Sequence, residues 1–441
     1  MPKTKDHGGD RHVDIPPKAG RFKDMKLPSP LESMEFFMGA CACALAVFAA
    51  PLSGAATSSP TLDQGLQALI ANAPASLTRE QAARLQAAIV RKDAEWAKAS
   101  GAEADLARNQ IRWDKWTMPI DVQQVGKKLA KGWPLIISLH GGGTCPKAVN
   151  DGQWRNQVAR YRQLLKDCIY VAPRAPRDSE PWHPYMYPLL EKLISDMVAL
   201  REVDPDRVYL MGYSEGGYAC FRVQPGILDR FAGIAAGGAA DQLDLAPAEN
   251  LANVAFDLQV GEFDRGYDRI GLARKYASAL DGLEKANPGL FRHRFKAHAG
   301  APHDCPDYKP EFAAIPWMLE SVRNPQPGSV IWVQGGWTKP KNFYWLSVDE
   351  EGGKGSRLEA SLDKRSSVIN LKTNHHGKIT VHLNDSMINL EKPLIVNING
   401  NTVFKGTVKR DAKVMVSSWL QRRDPRQIYS VALQVERPVA E

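Results

Sequence analysis

No apolar stretch in these 441 residues is long enough to span a bilayer. A membrane-crossing helix needs about 20 such residues. The longest run, Phe36–Ala50, has 15 and is followed by the small residues Ser53-Gly54-Ala55-Ala56. That pattern reads as the apolar core and cleavage region of a secretory leader. Residues 1–56 are therefore expected to be a signal peptide with an N-terminal extension, and the mature chain to be secreted or periplasmic. Cysteine is also scarce. Of six, Cys41 and Cys43 fall inside the apolar run, leaving Cys145, Cys168, Cys220 and Cys305. None forms a C-x-x-C or a Cys/His group with metal-ligand spacing, and the adjacent His375-His376 would point to opposite faces of a strand. No metal and no cofactor is expected. An oxidising compartment favours at least one disulfide. Among three pairings of the four cysteines, Cys145–Cys305 stands out because both lie just beyond candidate site segments.

Long basic runs interleaved with aromatics are missing too, which excludes the usual nucleic-acid binders. There is no internal repeat and no low-complexity tract. The charge that is present is uneven. The formal net charge is +8, and residues 325–441 carry 17 Lys/Arg against 11 Asp/Glu. This quarter of the chain suits an anionic partner such as an acidic polysaccharide or a cell surface; the plain alternative is a solvated basic face.

The chain is long enough for two domains. Residues 57–115 read as a helical lead-in arm packing on the main domain, with a capping box at Thr78 and Gln81 and apolar residues Ala82, Leu85, Ile89 and Trp96 at helical spacing. Over 116–324, short apolar runs (Leu135–Leu139, Ile169–Val171, Val208–Met211, Phe231–Ala235, Phe256–Val260, Phe291–Lys296) alternate with helical stretches, including Tyr187–Arg201 and Gly271–Lys285. Such alternation predicts an α/β fold with a mostly parallel sheet and flanking helices. After the breaker Asn324-Pro325-Gln326-Pro327-Gly328 the period becomes two. Asn399-Gly400 between apolar runs is a hairpin signal, so 325–441 is expected to be an all-β, sandwich-like domain of six to nine short strands. Trp332, Trp337, Phe343, Tyr344 and Trp345 resemble a sugar-stacking platform in composition but are expected in the sandwich core or the seam between domains.

The chemistry concentrates at strand ends. Gly212-Tyr213-Ser214-Glu215-Gly216 follows one apolar strand and can open a helix. That is the context of a nucleophile elbow, in which a sharp turn lifts Ser214 above the sheet at a helix N-terminus. His140-Gly141-Gly142-Gly143 follows a neighbouring strand. Backbone N–H groups at Gly142 and Gly143, with that of Glu215, are the candidate oxyanion hole. A serine nucleophile needs a base and the base an acid, in the chain order Ser, acid, His. Asp264 follows a strand and is the preferred acid over Asp241, Asp268 and Glu262. His303, deep in a loop, is the preferred base over His298, which sits at a strand end and is expected to point into the sheet. His140, Trp182 and His183 are candidates for the substrate pocket.

With these residues in view, 116–324 resembles the α/β-hydrolase superfamily. It is similar to secreted carboxylesterases of the polyhydroxyalkanoate-depolymerase, feruloyl-esterase and dienelactone-hydrolase neighbourhood. The resemblance is carried by the two glycine-rich segments above, by Tyr170-Val171-Ala172-Pro173-Arg174-Ala175-Pro176, by Val260-Gly261-Glu262-Phe263-Asp264 and by Gly300-Ala301-Pro302-His303. It departs at Glu215, where those relatives usually carry Ala and prolyl-oligopeptidase-type peptidases Tyr. The resemblance implies a Ser214–His303–Asp264 triad and hydrolysis of a small or polymer-linked carboxylic ester through an acyl-enzyme, without a cofactor. A serine peptidase on the same fold, or a catalytically silent surface-binding protein, are the alternatives. On this reading 325–441 is dispensable for the chemical step and serves stability or surface binding.

Overall fold

Strands that are apolar without alternation end up covered on both faces, as parallel sheets require. In the computed structural model, which describes residues 73–337 and 339–437 with Ala68, Ile70 and Ala71, β3 (Trp133–Leu139) and β4 (Cys168–Pro173) are buried at every position. With β5 (Val203–Tyr213), β6 (Gly233–Gly237), β7 (Ala255–Gly261) and β8 (His293–His298) they form a parallel array. Two earlier strands, β1 (Gln110–Trp113) and β2 (Trp116–Val125), add an antiparallel edge, so the eight strands lie in the order β1-β2-β4-β3-β5-β6-β7-β8. The chain steps outward from β3 to β4 and then returns to the other side of β3 as β5. The carboxyl ends of β3 and β5 therefore flank the point where strand order reverses, which is where open α/β sheets bind ligands.

The arm begins as expected. In α1 (Arg79–Ala99), Thr78 Oγ1 accepts the Gln81 N–H at 3.2 Å and the Gln81 side chain accepts the Thr78 N–H at 2.8 Å. Its end differs. After α2 (Ala102–Ala107) the segment Gln110–Trp113 leaves the helix and pairs with β2 as the edge of the sheet. The arm also packs on more than the main sheet. Leu77, Ile89 and Trp96 share a separate apolar cluster with Met415, Trp419 and Ile428 near the C-terminus. The main helices that follow are α3 (Lys147–Arg160), α4 (Tyr187–Leu200), α5 (Glu215–Arg222), α6 (Arg269–Ala286) and α7 (Ala314–Leu319). The expected leader, Phe36–Ala50, lies outside the described residues.

Beyond residue 328 nine strands form two separate sheets among the described residues. One holds β9 (Ser329–Val333), β12 (Arg357–Asp363), β13 (Val368–Thr373), β15 (Leu394–Ile398) and β16 (Asn401–Gly406). The other holds β10 (Asn342–Phe343), β11 (Leu346–Val348), β14 (Ile379–Leu383) and β17 (Val431–Val435). Burial alternates residue by residue in β13, β14 and β15, the pattern of sheets with one wet face. Asn399 and Gly400 turn β15 into β16 with φ of 50° and 87°, as a two-residue hairpin of this kind demands. The region is not all-β. A helix, α8 (Ala412–Arg422), is capped by Asp411, whose carboxylate accepts the Lys413 N–H at 2.6 Å. Ala412, Met415, Val416 and Trp419 make its buried face. That is helical spacing hidden among strand-like runs.

The seam between the two parts is both apolar and ionic. Trp332, Phe343, Tyr344 and Trp345 are buried in the same apolar cluster as Leu210 and Phe256 of the main sheet, as core or seam residues. Behind them runs a chain of buried ion pairs. Arg323 meets Asp424 at 2.7 Å and Asp206 at 3.1 Å. Arg422 meets Asp229 at 2.7 Å and Glu191 at 3.0 Å. Arg423 meets Asp93 of the arm at 2.7 Å and Asp196 at 3.2 Å. Seven of the 17 basic side chains after residue 324 (Lys354, Arg357, Lys378, Arg410, Arg422, Arg423 and Arg426) are in ion pairs.

Candidate active site

Strand β5 ends at Tyr213 and α5 starts at Glu215, so Ser214 alone makes the turn, with φ 55° and ψ −116°. A non-glycine residue persists in such a region only when its surroundings fix it. Here close approach does so. A Cβ on Gly212 would lie 2.1 Å from the Gly216 carbonyl oxygen, and one on Gly216 would lie 2.1 Å from the Leu139 carbonyl oxygen. The two glycines let helix, turn and β3 meet without side chains between them, and the Ser214 N–H is tied to the Gly237 carbonyl at 2.8 Å.

From this turn the Ser214 hydroxyl faces His303. Nε2 of His303 is 3.0 Å from Ser214 Oγ, and Nδ1 is 2.6 Å from Asp264 Oδ2. A carboxylate partner assigns the proton to Nδ1, so Nε2 is left to accept from the serine hydroxyl. Asp264 is buried, and its second oxygen takes Arg269 Nη1 at 2.9 Å. The sheet order, the elbow at Ser214, and the acid and histidine following β7 and β8 decide the architecture. This is the α/β-hydrolase fold.

The other candidates from sequence sit elsewhere. His298 is buried at the end of β8, its Nε2 2.9 Å from Gln259 Oε1 and its ring edge-on to Phe312, pointing into the sheet as expected. Asp241 accepts from the Trp337 indole at 2.7 Å. Glu262 accepts the Gly300 N–H at 2.9 Å. Asp268 stands at the start of α6.

On the β3 side of the site, Gly142 and Gly143 have φ of 117° and 114°, open only to glycine. A Cβ at Gly142 would lie 2.2 Å from Asn150 Oδ1. Asn150 is buried in α3 and donates to the carbonyls of Gly143 (3.3 Å) and Cys145 (3.2 Å), which holds the loop from below. Across from the loop, Glu215 is the first residue of α5, where N–H groups have no partner four residues back. Its carboxylate pairs with Arg222 at 2.5 Å.

Two of the three pocket candidates are corrected. His140 and Trp182 are enclosed, at 0% and 2% exposure, and brace the loop from inside. His140 Nδ1 donates to the Gly141 carbonyl at 2.6 Å, Nε2 accepts the Ala175 N–H at 3.2 Å, and Trp182 Nε1 donates to the His140 carbonyl at 2.7 Å. Burial pulls the His140 pKa down to about 4, so the ring is neutral. His183 is half-buried, its basicity lowered by burial, with its ring 5.8 Å from that of Trp337.

The expected Cys145–Cys305 bridge is not formed, and all four described cysteines are free. Cys145 Sγ lies 3.3 Å from Asn150 Oδ1, while Cys305 is buried near the Gln259 carbonyl, where burial pushes its thiol up to about 12. The two loops use different partners although they serve one site.

Sequence reasoning missed the support of the His303 loop. The Tyr213 hydroxyl donates to the His303 carbonyl and accepts the Cys305 N–H at 3.1 Å. Arg160 stacks over the Tyr213 ring at 3.9 Å and binds Asp307 at 2.6 Å, and Asp307 also accepts from Tyr161 at 2.7 Å. Tyr213 adjoins the serine and Asp307 comes four residues after His303, so both stood beside recognised motif residues. Only the fold pairs them.

No known family profile matches the chain. It is similar to a protein described as "Putative esterase NocK" from Nocardia uniformis subsp. tsuyamanensis, at 30% identity over 128 residues, 27% of this chain. The chain thus spans about a third, 36%, of that relative's length. Similar solved structures include a thermostable esterase (18% identity, 49% of this chain and 64% of that one, TM-score 0.39). Another is the Staphylococcus aureus fluorophosphonate-binding serine hydrolase F (14%, 46% and 92%, 0.34). A third is the Pyrococcus horikoshii acylaminoacyl peptidase (12%, 44% and 37%, 0.34).

Proposed function

We propose that the protein is a serine hydrolase that cleaves carboxylic esters through an acyl-enzyme on Ser214. The observation that supports this reading best is the line Ser214 Oγ–His303 Nε2–Asp264 Oδ2, with separations of 3.0 and 2.6 Å. His303 takes the proton as Ser214 Oγ attacks the ester carbonyl. Asp264 holds the imidazole and stabilises its charged form. The N–H groups of Gly142, Gly143 and Glu215 receive the oxyanion, and His303 then protonates the leaving alcohol. A water activated by the same histidine releases the acid. None of these steps uses a cofactor.

A burst of p-nitrophenol from p-nitrophenyl acetate, equal in amplitude to the enzyme present and absent from Ser214→Ala, is the expected result. Turnover retained by folded Ser214→Ala would defeat the proposal. Export from the cytoplasm is part of the same reading and is carried by Phe36–Ala50 and the small residues after it. The mass of the exported protein tests it, with loss of roughly the first 55 residues expected. Attraction to an anionic polysaccharide or cell surface is a further part, carried by the ten basic side chains beyond residue 324 outside the seven paired ones. Binding to such a polymer should weaken steeply with salt.

A further inference from the structure

Trp337, from the region beyond residue 324, touches Arg222, which pairs with the neighbour of Ser214. Trp337 lies in the loop between β9 and β10, which is tied down beside the residues after β6. The Gly336 N–H donates to the Leu245 carbonyl at 3.2 Å, and Lys354 of the separate β11–β12 loop pairs with Asp244 beside it. From there the Trp337 indole N–H reaches Asp241 Oδ2 at 2.7 Å. Its ring lies 5.0 Å from the Arg222 guanidinium and stands edge-on to His183 at 5.8 Å. Arg222 in turn pairs with Glu215, the neighbour of Ser214. The residues after β6 also border the other flank of the site, since a Cβ on Gly238 would lie 3.3 Å from His303 Cε1. Trp332, Phe343, Tyr344 and Trp345 are sealed in the core, whereas Trp337 is half-buried. A large ring held by a hydrogen bond on one side and a guanidinium on the other, with part of its surface open, is built to present a face.

We propose that Trp337 is a specificity-determining residue that forms the wall of the acyl side of the Ser214 site, supplied by the C-terminal region. The inference rests on the ester-hydrolase reading above. Side follows from chemistry. The leaving alcohol must lie near His303, which protonates it, while Trp337 connects through Arg222 to Glu215 and through its ring to His183. The acyl groups it favours are larger than acetyl and carry a flat or apolar face that packs on the indole.

The experiment compares wild type, Trp337→Ala and Trp337→Phe on two ester series: p-nitrophenyl acetate against p-nitrophenyl benzoate, and aryl against methyl alcohols on one acid. Each protein is also titrated with a small fluorophosphonate. For Trp337→Ala, kcat/KM on benzoate should fall at least tenfold more than on acetate, mainly through KM, while the alcohol series shifts evenly. Trp337→Phe retains a ring and should show the same trend more weakly, which keeps the test open if the alanine variant folds poorly. Equal losses on acetate and benzoate, no loss on either, or a change confined to the alcohol series would overturn the assignment. A wild-type protein that reacts with fluorophosphonate but shows unaltered acyl selectivity in both variants sinks the Trp337 role alone. One that neither reacts nor turns over any ester sinks the function itself and this inference with it.

Discussion

The hydroxyl of Tyr213 donates to the backbone carbonyl of His303, so the residue before Ser214 grips the loop that carries His303. A hydrogen bond of this kind contributes about 0.5–1.5 kcal/mol net. Tyr213→Phe should therefore lower kcat/KM by up to about tenfold, as His303 samples poorer positions. An unchanged rate would show that the loop holds itself.

The two histidines after β8 should separate cleanly. His303→Ala is expected to lose nearly all turnover, about as much as Ser214→Ala, and combining both should add little, because triad members act as a unit. His298→Gln should retain most activity, since His298 bonds Gln259 inside the sheet. A dead His298→Gln that melts like wild type would mean the base has been misassigned.

The proposed oxyanion loop should be sensitive at one point. Gly142→Ala forces a Cβ against Asn150 at a φ of 117°. Displacing one oxyanion donor costs on the order of 10²–10³ in kcat. Circular dichroism of the variant should be unchanged. Wild-type kcat in Gly142→Ala would argue that the oxyanion is held elsewhere.

The seam predicts where stability resides. Arg323 and Asp424 are fully enclosed, and removing one partner of such a pair costs about 3–5 kcal/mol. Burial alone would raise the Asp424 carboxyl, but Arg323 and Arg230 outweigh it and hold it well below the usual carboxylate range. Asp229 is likewise held down by Arg422 against its burial. Depressed carboxylates stabilise the fold fully above their unfolded pKa of about 3.9; the contribution starts to fade below that pH and is lost as pH falls through the lower folded pKa. Arg323→Met should therefore show its full urea-denaturation deficit at pH 7 and a smaller one near pH 3.5. A pH-independent deficit would contradict this. By the same logic truncation at Asn324 should yield little folded protein, because Asp229 and Asp196 would lose the buried partners Arg422 and Arg423, and Arg323 would lose Asp424.

Much of this was legible in the sequence because the signals were local. Continuous apolar runs fixed β3, β5 and β7 to within a few residues. The glycines around Ser214 and at 141–143 reported close backbone approach, and chain order picked Asp264 and His303. What was missed depends on distant partners. Gln110–Trp113 is a strand only because β2 offers an edge. The α8 helix is short and sits between strand-like runs. His140 looked like a pocket residue because it adjoins the glycine loop, and Trp182 because it follows a strand-end loop, but the chain folds both beneath the glycine loop. Cys145 and Cys305 stay free beside different partners, Asn150 and the Gln259 carbonyl, which spacing does not report.

The central claim is that Ser214 is the nucleophile of a hydrolase and that His303 activates it. Mass spectrometry of the intact protein after reaction with a fluorophosphonate tests this most directly. One adduct per chain, mapped to Ser214 and lost or slowed at least about a thousandfold in His303→Ala, is the predicted result. Adduct formation on another residue, or labelling of Ser214 at an equal rate without His303, would contradict it.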